Sequence, residues 1–500
     1  MGIKSALSVP FAKIQVRGIK KWSANPIQSQ ERVLRYLLRH GKRTAFGKDH
    51  DLAQVKDYKT FKKAVPVRDY EALRGYVDRV IEGESNVLWR GKPMYLCKTS
   101  GTTSGNKYIP ITRASMPNHI NAARNALLSY IASSKNSQFV NGKMIFLQGS
   151  PVLDTSGNIP IGRLSGIVAN HVPSYLRKNR LPSYVTNCIE DWEAKVDAIV
   201  EETYDKDMTL ISGIPAWVQM YFERLLQKTG KATIKEIFPN FSLFVYGGVN
   251  YEPYRAMFEA TIGGVVDTVE LFPASEGFFA FQDTQDQEGL LLVLNAGIFY
   301  EFVRLEHIND DEPERISLSD VELGVNYALI LSTNAGLWGY SIGDTVKFVS
   351  KDPYRIIVTG RTKHFISAFG EHVIAEEVES AIKEVIQKEG LEVTEFHVAP
   401  QVAPIEGLPH HEWFVEFKST PDSVEKTEEA LDKILQDKNS YYKDLLEGGV
   451  LSRLRISHVE PGGFVKFMKS RGKLGGQNKI PRLANERTYA DELANFVIHS

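Results

Sequence analysis

Thr99-Ser100-Gly101-Thr102-Thr103-Ser104-Gly105-Asn106-Lys107 sets hydroxyls, two glycines and a lysine between two short apolar runs, Met94–Cys97 and Tyr108–Ile111. Glycines let backbone N–H groups approach phosphate oxygens, hydroxyls donate further hydrogen bonds, and the lysine adds charge, so the stretch has the parts of a polyphosphate-binding loop. The same residues are also ordinary turn formers. The spacing is neither Gly, four residues, Gly-Lys-Ser/Thr nor G-x-G-x-x-G, so a nucleotide held here belongs to a different fold. Cys97, in the feeding strand, reads as a small buried hydrophobe rather than a nucleophile.

Four further stretches carry groups of the right chemistry. Glu276, in Ala274-Ser275-Glu276-Gly277, offers a carboxylate to a hard cation such as Mg2+, which wants oxygen ligands and shares them with phosphates. Glu is equally at home near a helix N-terminus. Asp344, in Tyr340-Ser341-Ile342-Gly343-Asp344, suits a pair of ribose hydroxyls, or simply a turn. Gly360-Arg361 could set a guanidinium on a ribose or phosphate, or on the open surface. Gly472 to Arg482 is glycine-rich and cationic, and a lysine on such a loop can neutralise a transferring phosphoryl centre.

The elements that must hold these groups alternate between strand and helix. Residues 30–40 place Val33, Leu34, Leu37 and Leu38 on one helical face, and Pro66-Val67 open a second helical stretch through Tyr70 and Leu73. Met144–Leu147, Met208–Gly213, Phe241–Tyr246 and Val265–Leu271 read as buried strands with helices between them. That order implies a mainly parallel α/β core. Ligands in open α/β sheets bind beyond the carboxyl ends of strands, where Gly247-Gly248-Val249 and Ala274-Ser275-Glu276 fall. Residues 289–350 are strand-rich and imply a β subdomain. Past a boundary at Thr362–Lys363, a helix at 375–385 and strands at 394–399, 411–417 and 454–458 imply a small α+β domain. The expected division is 1–361 and 362–500.

Bulk properties narrow the function classes. A chain of 500 residues exceeds one ordinary domain. With 43% hydrophobic and 24% charged residues it has the composition of a soluble globular protein. A net charge of −1 and the lack of a basic aromatic stripe speak against nucleic acid or a membrane as the main partner. No run approaches the length of a membrane span, the N-terminus lacks the apolar run of a secretory signal, and Ala6 breaks a myristoylation motif. Two cysteines, Cys97 and Cys188, suit free thiols in a reducing, cytoplasmic setting.

The order of the signals carries more than any one of them. A hydroxyl-rich loop, Gly-Gly at a strand end, a strand-end Glu, Gly-Asp, Gly-Arg and a late basic loop is the order found in adenylate-forming enzymes, which this chain resembles. Within them it resembles most closely the Gretchen Hagen, or auxin-responsive promoter, family of acyl-acid amido synthetases. The phrases that carry this are Asn25-Pro26-Ile27-Gln28, Thr44-Ala45-Phe46-Gly47-Lys48-Asp49-His50, Val65-Pro66-Val67-Arg68-Asp69-Tyr70-Glu71 and Gln477-Asn478-Lys479-Ile480-Pro481-Arg482.

The resemblance implies an adenylate-forming fold, with a large N-terminal domain and a small mobile C-terminal one. It implies ATP and Mg2+, with Thr99, Ser100, Gly101, Thr102, Thr103 and Lys107 at the phosphates. Gly247, Gly248, Val249, Phe272, Ala274 and Ser275 fall on the adenine side, with Glu276 at the metal. Tyr340, Asp344 and Arg361 fall at the ribose, Lys479 is catalytic, and Thr362–Lys363 is a hinge. The expected substrates are a small carboxylic acid and an amine or amino acid, in a monomer or dimer. An acyl-CoA ligase and a nucleotide binder without turnover are the alternatives. Ser341 stands where plant members usually carry Arg, and the chain is shorter than they are, so the resemblance carries the nucleotide chemistry and no particular hormone.

Overall fold

A computed structural model describes residues 3–99, 107–156, 159–172, 178–189, 191–248, 251, 255–308, 310, 312–362, 365–366, 373–401, 404–419, 421–447, 451–472, 480–484 and 487–498. The chain forms two compact units. One comprises residues 1–249 and 259–358, the other residues 250–258 and 359–500. The sequence had placed its boundary three residues later, at 361/362.

The first unit is built on a twelve-stranded sheet. Lys143–Phe146, Met208–Ser212, Leu243–Gly247 and Asp267–Ala274 run parallel. Leu210, Leu243 and Val269, on three adjacent strands, are fully buried. Each such side chain contributes about 1.5–3 kcal/mol relative to exposure, which explains why these strands read as apolar runs. Beyond Ala274 the chain reverses into Gly277–Phe281, and the sheet continues antiparallel through Leu290–Leu292 to Tyr354–Arg361. Tyr340–Lys351, Asn326–Thr333, Ile298–Arg304 and Arg315–Ser317 complete that edge. The strand-rich stretch expected as a β subdomain is therefore the antiparallel half of the same sheet, joined to the parallel half at the 274–277 reversal.

A second sheet of four strands, ordered Lys107–Ile111, Tyr95–Thr99, Ile159–Gly162 and Asp154–Ser156, carries the hydroxyl-rich loop at one end. The helix Pro26–Gly41 buries Val33, Leu34, Leu37 and Leu38, as its spacing requires. Its buried Gln30 donates to the carbonyls of Leu294 and Ile298 and accepts the N–H of Tyr300, locking the helix to the sheet. Pro66 and Val67 do not open a helix. The helix is Tyr70–Ile81, capped by Asp69, whose carboxylate accepts the N–H of Ala72 at 3.1 Å. The Asp side chain fixes the start, and the residues before it stay extended.

The second unit has a three-stranded sheet. Val393–Gln401 and His410–Phe417 are antiparallel, and Arg455–Val459 runs parallel to the latter. The helix Ala375–Glu389 presents Val378, Ile382 and Val385 to a core that includes Trp413, Phe396 and Leu435.

Candidate active site

The stem of the hydroxyl-rich loop is a hairpin. Tyr95–Thr99 pairs antiparallel with Lys107–Ile111, with Thr99 opposite Lys107. Ser100, Gly101, Thr102 and Thr103 lie outside the described residues. What fixes the stem is Tyr70. Its hydroxyl accepts the N–H of Tyr108 at 3.0 Å, and its ring centroid lies 5.6 Å from the Lys107 ammonium. Burial raises the pKa of this phenol, which keeps it neutral.

Cys97 joins the stem to the Glu276 turn. Its thiol donates to the Ser275 hydroxyl at 3.2 Å, across 178 residues of sequence. Burial pushes the thiol up to about 12, so it is a packed donor and not a nucleophile. Ser275 and Glu276 form the two-residue reversal between Asp267–Ala274 and Gly277–Phe281, with Ala274 opposite Gly277. No helix begins at Glu276, which rules out the helix-cap role. A Cβ on Gly277 would come within 2.6 Å of the Ile298 Cδ1, so a larger residue at the reversal would require the Ile298 side chain to move. Asn118, on the helix Met116–Ser134, grips the turn from behind. Its carbonyl oxygen accepts the N–H of Phe278 at 2.7 Å and its amide donates to the Phe278 carbonyl at 3.1 Å. Glu276 itself is half-buried.

Gly247 ends a strand beside Leu271, so the Gly247-Gly248 turn and the Glu276 turn leave the same edge of the sheet. Val249 lies outside the described residues. Phe272 is buried, its ring edge-on to Phe279 at 5.1 Å, and underpins the turn from the core.

Tyr340 to Asp344 begins a strand that slips register against Asn326–Thr333. Ile330 faces Ser341 while Ala328 faces Thr345, so Ile342, Gly343 and Asp344 bulge opposite Leu329. Bulges of this kind re-aim side chains at the rims of sheets. Arg68 secures the bulge through its backbone. It donates to the Gly339 carbonyl at 2.9 Å and accepts the N–H of Ser341 at 2.7 Å. Gly339 has a positive φ of 57°, and a Cβ there would sit 2.5 Å from the Pro66 carbonyl oxygen. The Val65–Glu71 segment thus braces two groups at once, the Asp344 bulge through Arg68 and the stem of the hydroxyl-rich loop through Tyr70.

In the second unit, Arg361 is exposed at the end of its strand and Thr362 is buried. Lys363 and Lys479 lie outside the described residues. The chain just after Lys479 is fixed to the Val393–Gln401 strand. The carbonyl of Pro481 lies 2.6 Å from His397 Nδ1, and the Arg482 carbonyl accepts the N–H of Val398 at 2.9 Å. The Arg482 guanidinium lies 3.2 Å from Glu395 and 4.7 Å from the Phe396 ring centroid.

In the first unit the fold therefore gathers the loop stem, the Gly-Gly turn, the Glu276 turn and the Asp344 bulge. Sequence reasoning missed the braces. Tyr70 stood only in a helical stretch and a family phrase, Arg68 only in the phrase, and Asn118 gave no local signal.

The sequence pattern of the GH3 family N-terminal domain matches residues 15–183, that of the GH3 family central domain residues 291–361, and that of the GH3 family C-terminal domain residues 376–488. The chain belongs to the GH3 family. This is the Gretchen Hagen family of acyl acid amido synthetases within the adenylate-forming enzymes, ligases that form a carbon–nitrogen bond and use ATP. Indole-3-acetic acid-amido synthetase GH3.15 of Arabidopsis thaliana is 23% identical to this GH3 chain, over 95% of it and 93% of its own length. Jasmonoyl-L-amino acid synthetase JAR4 of Nicotiana attenuata is 22% identical, over 91% and 90%. Among solved structures, GH3.15 of Arabidopsis in complex with 2,4-DB superposes with a TM-score of 0.81 at 18% identity, covering 98% of this chain and 96% of that one. A 2-hydroxyisobutyryl-CoA ligase in the postadenylation state gives 0.60 at 12% identity, covering 95% and 92%. Both structures share the fold of this chain.

Proposed function

We propose that this GH3 protein converts a small carboxylic acid to its acyl-adenylate with ATP, and then passes the acyl group to the amino group of an amino acid. The observation that carries this reading is the bracing of three sites on one another. Cys97 ties the phosphate-loop stem to the Glu276 turn, and Val65–Glu71 ties that stem to the Asp344 bulge.

In the first step a carboxylate oxygen bonds to the α-phosphorus of ATP and pyrophosphate leaves. Ser100, Thr102, Thr103 and Lys107 take the charge of the phosphates. The Gly247-Gly248-Val249 turn, Phe272 and Ala274-Ser275 border the adenine. Asp344 and Tyr340 hold the ribose, and Arg361 meets ribose or phosphate. In the second step the amine lone pair attacks the acyl carbon, the acyl–oxygen bond breaks, and AMP leaves with the electron pair. Catalysis of this kind is positioning and electrostatics, with no covalent enzyme intermediate.

Among the described residues no group of three or more His, Cys, Asp or Glu could hold a metal alone. One half-buried carboxylate, Glu276, beside a phosphate-binding stem fits Mg2+, which keeps few protein ligands and shares phosphate oxygens. Mg2+ bound there would supply charge neutralisation for the departing pyrophosphate. Lys479 meets the transferring centre, and residues 362–500 act as a lid hinged at Thr362–Lys363 that also excludes water from the adenylate. No helix among the described residues is long and apolar enough to cross a membrane. Free Cys97 and Cys188 suit a reducing cytoplasm.

The test is product analysis. The protein is incubated with ATP, Mg2+, aryl and aliphatic acids and pooled amino acids, and products are read by mass. AMP with an acyl-amino acid is the expected result. A thioester formed with coenzyme A in preference to any amide would overturn the choice of acceptor.

A further inference from the structure

One face of the helix Ile3–Ser23 is turned into the protein. Ser5, Ala12 and Ile19 are buried, and the helix packs on Met116–Ser134 in a cluster that includes Ala122, Ala126 and Tyr130. The Ser5 hydroxyl bonds that of Ser137 at 2.6 Å, which pins the inner face. On another face three apolar side chains meet water. Leu7 is 67% exposed, Phe11 49% and Ile14 64%. At i, i+4 and i+7 they make one continuous stripe. Single exposed apolar residues are ordinary, but a continuous stripe of three on a helix whose opposite face is already packed is not.

The charge around the stripe is one-sided. The helix carries Lys4, Lys13, Arg17, Lys20 and Lys21, all exposed, and no Asp or Glu, in a protein of net charge −1. At 100° per residue, Lys4 falls on one flank of the stripe and Arg17 and Lys21 on the other.

We infer that this face is a docking surface for an anionic phospholipid membrane. Leu7, Phe11 and Ile14 enter the boundary between headgroups and acyl chains while the flanking cations meet anionic headgroups, the arrangement of a helix lying in the interface plane. The helix is already folded and anchored by its other face, so docking orders nothing further. The charge argues against the other occupants. A second copy seated on the same face would oppose the three flanking cations with three of its own, and nucleic acid would leave the apolar stripe in water. A helix lying on a surface is distinct from a membrane span, for which no helix among the described residues is long and apolar enough. The inference is independent of the amide-forming reaction.

The experiment is co-sedimentation of the full chain with vesicles of phosphatidylcholine alone and of phosphatidylcholine mixed with phosphatidylserine, at low and high salt. The expected result is binding to the mixed vesicles that falls with salt. It weakens about tenfold or more in the triple variant Leu7→Ser, Phe11→Ser, Ile14→Ser. It is lost in Lys4→Glu, Arg17→Glu, Lys21→Glu. All six side chains are exposed, so unchanged thermal unfolding of both variants is the control for folding. Absence of binding to either vesicle, or equal binding with and without phosphatidylserine, would overturn the inference. So would self-association in light scattering that Phe11→Ser abolishes.

Discussion

The two units hold their functional segments by different means. In the first, the register of a twelve-stranded sheet sets where each turn falls, and a few long-range bonds from Tyr70, Cys97 and Asn118 finish the work. In the second, a three-stranded sheet offers less register, and buried polar groups bonded to backbone take over. Glu416 accepts the N–H groups of Gly462 and Phe464 at the start of the helix Gly463–Ser470. Asp432 accepts from the Tyr442 hydroxyl and the Leu454 N–H, and Glu428 from the Ile456 N–H. A large apolar sheet tolerates loss of a single polar side chain at its rim. A small unit whose loops hang on buried carboxylates does not, because each loss strands buried donors.

Substitutions can break or sharpen that contrast. The largest effect belongs to the first unit and to chemistry alone. Glu276→Ala should lower acid-dependent pyrophosphate release about 10²- to 10³-fold while leaving the melting temperature near that of the parent, since Glu276 is half-buried at a turn. Asp432→Ala should do the reverse, losing about 3 kcal/mol of stability because the Tyr442 hydroxyl and the Leu454 N–H both lose the buried carboxylate that accepts from them, as read by urea unfolding. A Glu276 variant that unfolds, or an Asp432 variant that does not, would dissolve the contrast.

The next effect depends on pH. His119 is buried in the helix Met116–Ser134, and burial lowers its pKa to about 4. Its folded value is depressed below the unfolded one, so the neutral form is the stable one. Stability is complete above the unfolded pKa of 6.5 and falls as pH drops toward 4, by up to about 3 kcal/mol, as protons go preferentially to the unfolded chain. His119→Gln should flatten that part of the acid slope in melting curves taken across this range. An unchanged slope would show that other groups govern it. The smallest effect is expected of Tyr70→Phe, which keeps the ring and removes the acceptor for Tyr108. It should cost about 1 kcal/mol and raise the KM for ATP more than it lowers kcat. Equal effects on KM and kcat would mean that Tyr70 does not act through the phosphate-loop stem.

What was legible in the sequence follows from the range of each interaction. The turns at Gly247-Gly248 and Ala274–Gly277 were legible because apolar runs and turn residues sit side by side. The stripe on Pro26–Gly41 was legible because helical spacing is local. The family phrases were legible as text, but what they do was not. Gln30, Arg68 and Tyr70 act on partners far along the chain, and Asn118 reaches Phe278 across 160 residues. Periodicity carries no information at that distance. The continuity of the two sheet halves was hidden for the same reason, since it depends on Leu290–Leu292 pairing with Tyr354–Arg361. The extended path of Pro66-Val67 is set by Asp69 capping the next helix and by Arg68 joining Gly339 and Ser341, and only the first of these is local.

The central claim is that one braced site activates a carboxylate with ATP. Its most direct test is exchange of labelled pyrophosphate into ATP, run with Mg2+ and a panel of aryl and aliphatic acids and with no amine present. The account predicts exchange that requires an acid and disappears in Glu276→Ala. Exchange that persists in Glu276→Ala, or ATP binding with no exchange for any acid in the panel, would contradict it.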